Sequence, residues 1–193
     1  MIVFIFNHSN ELNLTRKSNK DIAESLLDNV MCNIHKEMSV GFASGLCGIV
    51  WGIDYLIHNN LVEGNSFEIS EEIDKQVMTK DPRRIEDLSI ETGFEGHLHY
   101  ILSHLLVTSS CEESPFDDIY LYDIYTQSIK IKKLNANENL KVLIDLYIKF
   151  YEDKKNDYSI NIATVISEAY NEDLFTLPPC LNGIAGYLIK NQL

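Results

Sequence analysis

The segment GFEGHLHYILSHL places His97 and His104 seven residues apart, a spacing that puts both imidazoles on one face of a helix. With a thiol such as Cys47 from a neighbouring helix, they are donors of the kind that hold zinc. The alternative is that they hydrogen-bond in a core or line a polar lumen. Asp87, Glu91 and Glu95 precede or open the same helix. Glu91 with Asp87 would suit an acid/base pair of the glycosidase kind, which requires carboxyl groups ~5–10 Å apart. Acids are also favoured at a helix start by the macrodipole alone, which accounts for Glu95. Trp51, Tyr55 and Tyr100 offer an aromatic wall for a peptide, or else core packing.

The elements that must position these residues repeat along the chain. GLCGIVWGIDYLI from Gly45, GFEGHLHYILSHL from Gly93 and CLNGIAGYLIKNQ from Cys180 align Gly48 with Gly96 and Gly183. Each copy opens on small residues and then turns apolar at helical spacing: Leu46, Ile49, Val50, Ile53, Leu56 and Ile57 form one stripe. Gly45 and Gly93 are 48 residues apart, and the 87 residues from Gly93 to Cys180 leave room for a degenerate copy between them. Glycine in a first helical turn costs ~1 kcal/mol against alanine, so its recurrence predicts close approach of backbones there.

More amphipathic helices are predicted between the apolar ones, over 19–36, 70–80 and 137–152. Further helices are expected over 160–170 and 116–125, the latter introduced by Ser114 and Pro115 as cap and first-turn pair. Ser128–Lys133 alternates, but one short run does not make a sheet. The expected architecture is a single all-α repeat domain over 1–193, in which an amphipathic outer helix feeds an apolar inner helix opened by GxxG.

On these motifs the chain resembles the lanthionine synthetase C-like family, through FASGLCGIVWGIDYLIHNNLVEGN and DLSIETGFEGHLHYILSHLL. The resemblance implies an α/α toroid of helical hairpins, with a concave face at the inner-helix starts. Trp51, Tyr55, Glu95, His97, Tyr100 and His104 are then expected to line that face. It also implies a cyclase chemistry in which zinc, held by two cysteines and a histidine, deprotonates a peptide thiol. The Cys-His-Gly and Trp-Cys pairs of catalytic members are absent, so neither zinc ligands nor catalytic residues carry over. The chain accommodates about four hairpins, short of a closed ring. MIVFIFNHSNEL reads as the body of an inner helix without its GxxG. Such an array exposes apolar stripes at its ends, which predicts self-association or docking of a peptide or protein partner. The function expected is a non-catalytic binding or scaffold module linked to modification of a ribosomal peptide. A zinc cyclase with other ligands, or a carbohydrate-active toroid using Asp87 and Glu91, is the alternative.

Composition narrows the partners. Acidic residues outnumber basic ones 29 to 16, giving a formal charge of −13. Phosphate binding needs a basic face, so nucleic acid is not an expected partner. No apolar run reaches the length of a bilayer span, and MIVFIF lacks the flanks of a secretory signal, so a cytoplasmic location is expected. Cys32, Cys47, Cys111 and Cys180 are widely spaced and read as free thiols. The strip Glu112, Glu113, Asp117 and Asp118 reads as a solvated loop and cap, or as a contact for a basic peptide.

Overall fold

A computed structural model describes residues 24–25, 27–35, 37–134, 136–161 and 165. The chain divides into two compact units, Met1–Met38 with Asn161–Leu193, and Ser39–Ile160. In the first, residues 27–32 are helical, within the helix expected over 19–36. MIVFIFNHSNEL and the Cys180 copy lie outside the described residues. Of the helix expected over 160–170, Ile160 and Asn161 are non-helical and Val165 is helical.

The unit Ser39–Ile160 is built from helices, and no strand occurs among the described residues. Its elements are α1 (Leu46–His58), α2 (Ser66–Met78), a 3-10 turn (Pro82–Arg84), α3 (Phe94–Val107), α4 (Asp118–Lys132) and α5 (Glu138–Asp153). None of the described helices is long and apolar enough to cross a membrane.

The two GxxG copies fold alike down to single hydrogen bonds. The Leu46 N–H donates to the Ser39 carbonyl at 2.9 Å, and Phe94, 48 residues on, donates to the Asp87 carbonyl at 2.9 Å. Each loop starts with a side-chain turn: Ser39 Oγ accepts from Gly41 N–H at 3.1 Å, and Asp87 Oδ1 from Ser89 N–H at 2.9 Å. Gly45 and Gly93 cap the helices in ordinary extended backbone, with φ of −139° and −104°. Their glycines are therefore a matter of space. A Cβ on Gly48 would collide with the Phe42 carbonyl, and one on Gly96 with the Ile90 carbonyl and with Phe42.

The helix starts lie side by side. Phe42 and Ala43 N–H both donate to the Glu91 carbonyl, at 2.8 and 3.0 Å, joining the loops before α1 and α3. Asn137, which caps α5 by accepting from Leu140 N–H, also donates to Glu95 Oε2 in the first turn of α3 at 3.0 Å. At the far end Asp54 of α1 meets Ser103 and His104 of α3, and Asn156, beyond α5, donates to the Leu102 carbonyl. So α1, α3 and α5 run parallel, with α3 packed between the other two. At the start of α2, Ser66 reaches Asp54 in the later half of α1 and Ser70 reaches His104 in the later half of α3, whereas Asp74, further along, reaches Tyr100, so α2 runs antiparallel.

One boundary is corrected, the start of α4. Helix α4 begins later than expected, capped at Asp117, because Ser114 and Phe116 close a turn on each other. The alternating run from Ser128, not expected to make a sheet, forms the end of α4. The 137–152 segment forms α5, which packs on α3, with its cap Asn137 lying 44 residues after Gly93.

Every residue of α3 from Phe94 to Leu105 is buried. Phe94, Leu98, Ile101 and Leu102 of α3 and Leu46, Val50 and Ile53 of α1 are buried in the core, where the two helices pack on each other, each such side chain contributing about 1.5–3 kcal/mol. A helix buried all round is ordinarily apolar throughout. This one carries Glu95, His97, His99, Tyr100, Ser103 and His104, so each polar group requires a partner.

Candidate functional site

His104 Nδ1 lies 3.1 Å from Asp54 Oδ1, and its Nε2 lies 2.9 Å from Ser70 Oγ and 3.1 Å from Asp74 Oδ2. Ser66 and Ser103 donate to the two oxygens of Asp54 at 2.6 and 3.0 Å. Asp74 receives the Tyr100 hydroxyl at 2.6 Å and Ser70 Oγ at 2.8 Å. Burial alone would lower the His104 pKa. Hydrogen bonds to Asp54 and Asp74, with their charges, outweigh that and lift it to about 9. The ring is therefore an imidazolium shared by two carboxylates.

Ser70, His104 and Asp54 have the contacts of a nucleophile, base and orienting acid. Two observations remove that reading. All three residues are 0% exposed, so no substrate carbonyl reaches Ser70. A ring already protonated at neutral pH cannot accept the serine proton. The cluster is a structural charge network joining α1, α2 and α3.

Two turns earlier, His97 Nε2 meets the Tyr120 hydroxyl of α4 at 2.5 Å, and Nδ1 lies 3.7 Å from Cys47 Sγ on α1. Burial without a charged partner lowers its pKa to about 4. Burial, with the charge of Asp74 adding to it, pushes the Cys47 thiol well above the usual range. The pair is thus neutral imidazole beside neutral thiol, the reverse of an activated cysteine. For zinc it supplies two donors. No group of three His, Cys, Asp or Glu side chains able to hold a metal occurs among the described residues, so they do not fit the ion of the cyclases. His99 faces the other way: its Nδ1 lies 2.7 Å from the Tyr158 hydroxyl, which also accepts from Trp51 Nε1 at 3.1 Å.

Two of the carboxylates at the start of α3, those of Asp87 and Glu95, are held by neighbouring groups. Asp87 accepts from Ser89 N–H and Oγ and from Thr92 Oγ1, which hold its pKa below the ordinary value. It occupies the place that Ser39 takes in the first copy. Glu95 is buried against Asn137, and burial raises its pKa. Glu91 is exposed, and its carbonyl joins the two loops.

Beside these loops lies a cavity of about 420 Å³, walled by Val40, Phe42, Ile85 and Thr92, with His97 among its lining and Lys80 and Arg84 also bordering it. Gln127 of α4 fixes one wall by donating to the Ile85 carbonyl at 2.9 Å. Of the residues expected on a binding face, His97 alone lines this cavity. Glu95 lies close by in the first turn of α3, Tyr100 and His104 belong to the charge network, and Trp51 stacks on Tyr55 at 5.8 Å.

Sequence reasoning missed Asp54, Asp74, Tyr120, Tyr158, Lys80 and Arg84. Asp54 had a signal, as the single acid in the apolar run GIVWGIDYLI. No known protein family, curated protein or solved structure matches the chain.

Proposed function

We propose that this protein is a helical-repeat binding module of the lanthionine-synthetase-like α/α kind, holding a peptide or protein segment at the starts of α1, α3 and α5 without covalent chemistry. The observation that carries the reading is the matched folding of the two GxxG loops, whose joining sets the α1 and α3 starts beside one cavity, with the α5 start bonded to α3 through Asn137. The neutral Cys47 and the loop-bound Asp87 favour binding over thiolate or acid/base chemistry.

Selection of a displayed random-peptide library on the full chain tests it. Enriched peptides are expected to lose about tenfold or more in affinity on Ile85→Glu and to keep it on Val142→Glu, which alters an exposed residue of α5. Peptides indifferent to Ile85→Glu would overturn the reading. So would stoichiometric zinc, in protein purified without chelators, that is lost on His97→Ala or Cys47→Ala.

A further inference from the structure

The cavity beside the α3 start has an apolar wall of Val40, Phe42 and Ile85. Lys80 and Arg84 bring positive charge to it in a protein of formal charge −13. Lys80 is exposed, and the Arg84 side chain is 87% exposed with one long contact, 3.5 Å to Asp81. Asp81 is the acid of the lining, and Arg83 already holds it through bonds of 2.9 and 3.1 Å. The nearby carboxylates are also satisfied, Asp87 by Ser89 and Thr92, and Glu95 by Asn137. His97 adds an uncharged polar group. The volume lies in the range of small-ligand sites, about 300–1,000 Å³.

We infer that this cavity binds an organic monoanion, a carboxylate carried on an apolar body. The apolar part packs on Val40, Phe42 and Ile85, and the carboxylate meets Lys80 and the Arg84 guanidinium. With Asp81 held by Arg83, Lys80 and Arg84 are the lining cations left to meet a carboxylate. The inference rests on the binding-module reading and names the chemistry of what that module holds. A free organic acid and the C-terminal carboxylate of a peptide share this chemistry.

Calorimetric titration of the full chain separates the cases, with 3-phenylpropionate, its amide, and N-acetyl-glycyl-phenylalanine with a free or an amidated C-terminus. Each acid is expected to bind at least about tenfold tighter than its amide, and to lose that margin on Lys80→Ala and Arg84→Ala. A tighter peptide acid assigns the site to chain termini, and a tighter phenylpropionate to a small metabolite. Equal binding of acid and amide, binding indifferent to both substitutions, or no binding of any probe would overturn the inference. Library peptides that need Ile85 but ignore Lys80 and Arg84 would leave the module standing and remove the anion alone.

Discussion

In the later half of α3, His104 is held between Asp54 and Asp74 at 3.1 Å on each side, whereas His97, two turns earlier, meets a hydroxyl and a thiol. Both rings are buried and both sit on the same helix, yet their pKa values move apart, to about 9 and about 4. Burial pushes each ring toward neutrality, and only the one facing carboxylates resists. The difference teaches that partners drawn from other helices decide the state of a buried histidine. The charged end is sealed, and the neutral end adjoins the cavity.

The strongest way to break the contrast is to remove the charge. His104→Leu leaves two carboxylates buried without their cation and is expected to cost about 3–5 kcal/mol, read from the urea unfolding midpoint. A loss below about 1 kcal/mol would mean that the carboxylates are not held as ions.

Acidity sharpens it next. The folded pKa of His97 and of His99 lies below that of the unfolded chain, so between about 6.5 and 4 the unfolded state binds more protons. Stability therefore drops as the pH is lowered through that window, by up to about 1.4 kcal/mol per unit for each ring. For His104 the sign reverses: its contribution is complete below about 6.5 and is lost as pH rises through about 9. NMR titration of the histidine Cε1 protons would show two rings titrating near the acid limit and His104 near the alkaline one. A His104 midpoint near 6.5 would break the comparison.

Overpacking tests the open end alone. Gly96→Ala drives a Cβ into the Ile90 carbonyl and Phe42, at an expected cost of about 1–3 kcal/mol. The His104 titration should be unchanged by it. The smallest effect is expected from Tyr120→Phe, which deprives His97 Nε2 of its hydroxyl for about 1 kcal/mol. A larger loss on thermal unfolding would mean that the neutral end depends on this bond as the charged end depends on its acids.

The repeat was legible because its glycines answer a demand of space. Gly48 and Gly96 are small because a loop folds back over each helix start. The third start hid from the same reading. Helix α4 runs to Lys132 and α5 begins at Glu138, so no long loop returns there, and Leu140 can stand where the earlier copies need glycine. Asp87 looked catalytic in isolation. Its match with Ser39 in the first copy carried the structural answer. His97 and His104 were singled out by their spacing, but the residues that set their charges lie on other helices, where spacing along one segment says nothing. Lys80 and Arg84 were hidden for the same reason, as charges flanking a turn that packing carries to the cavity.

Trp51 is the single tryptophan of the chain, and its indole donates to a hydroxyl 107 positions away on Tyr158, where His99 also bonds. Contacts within the GxxG loops close over a few residues, and those between α1 and α3 over about fifty. Closing a longer loop surrenders more chain entropy before any contact offsets it. The Tyr158 segment is therefore expected to dock after α1 and α3 have paired. In a stopped-flow refolding experiment the indole fluorescence would follow that last closure, lagging the recovery of helical circular dichroism.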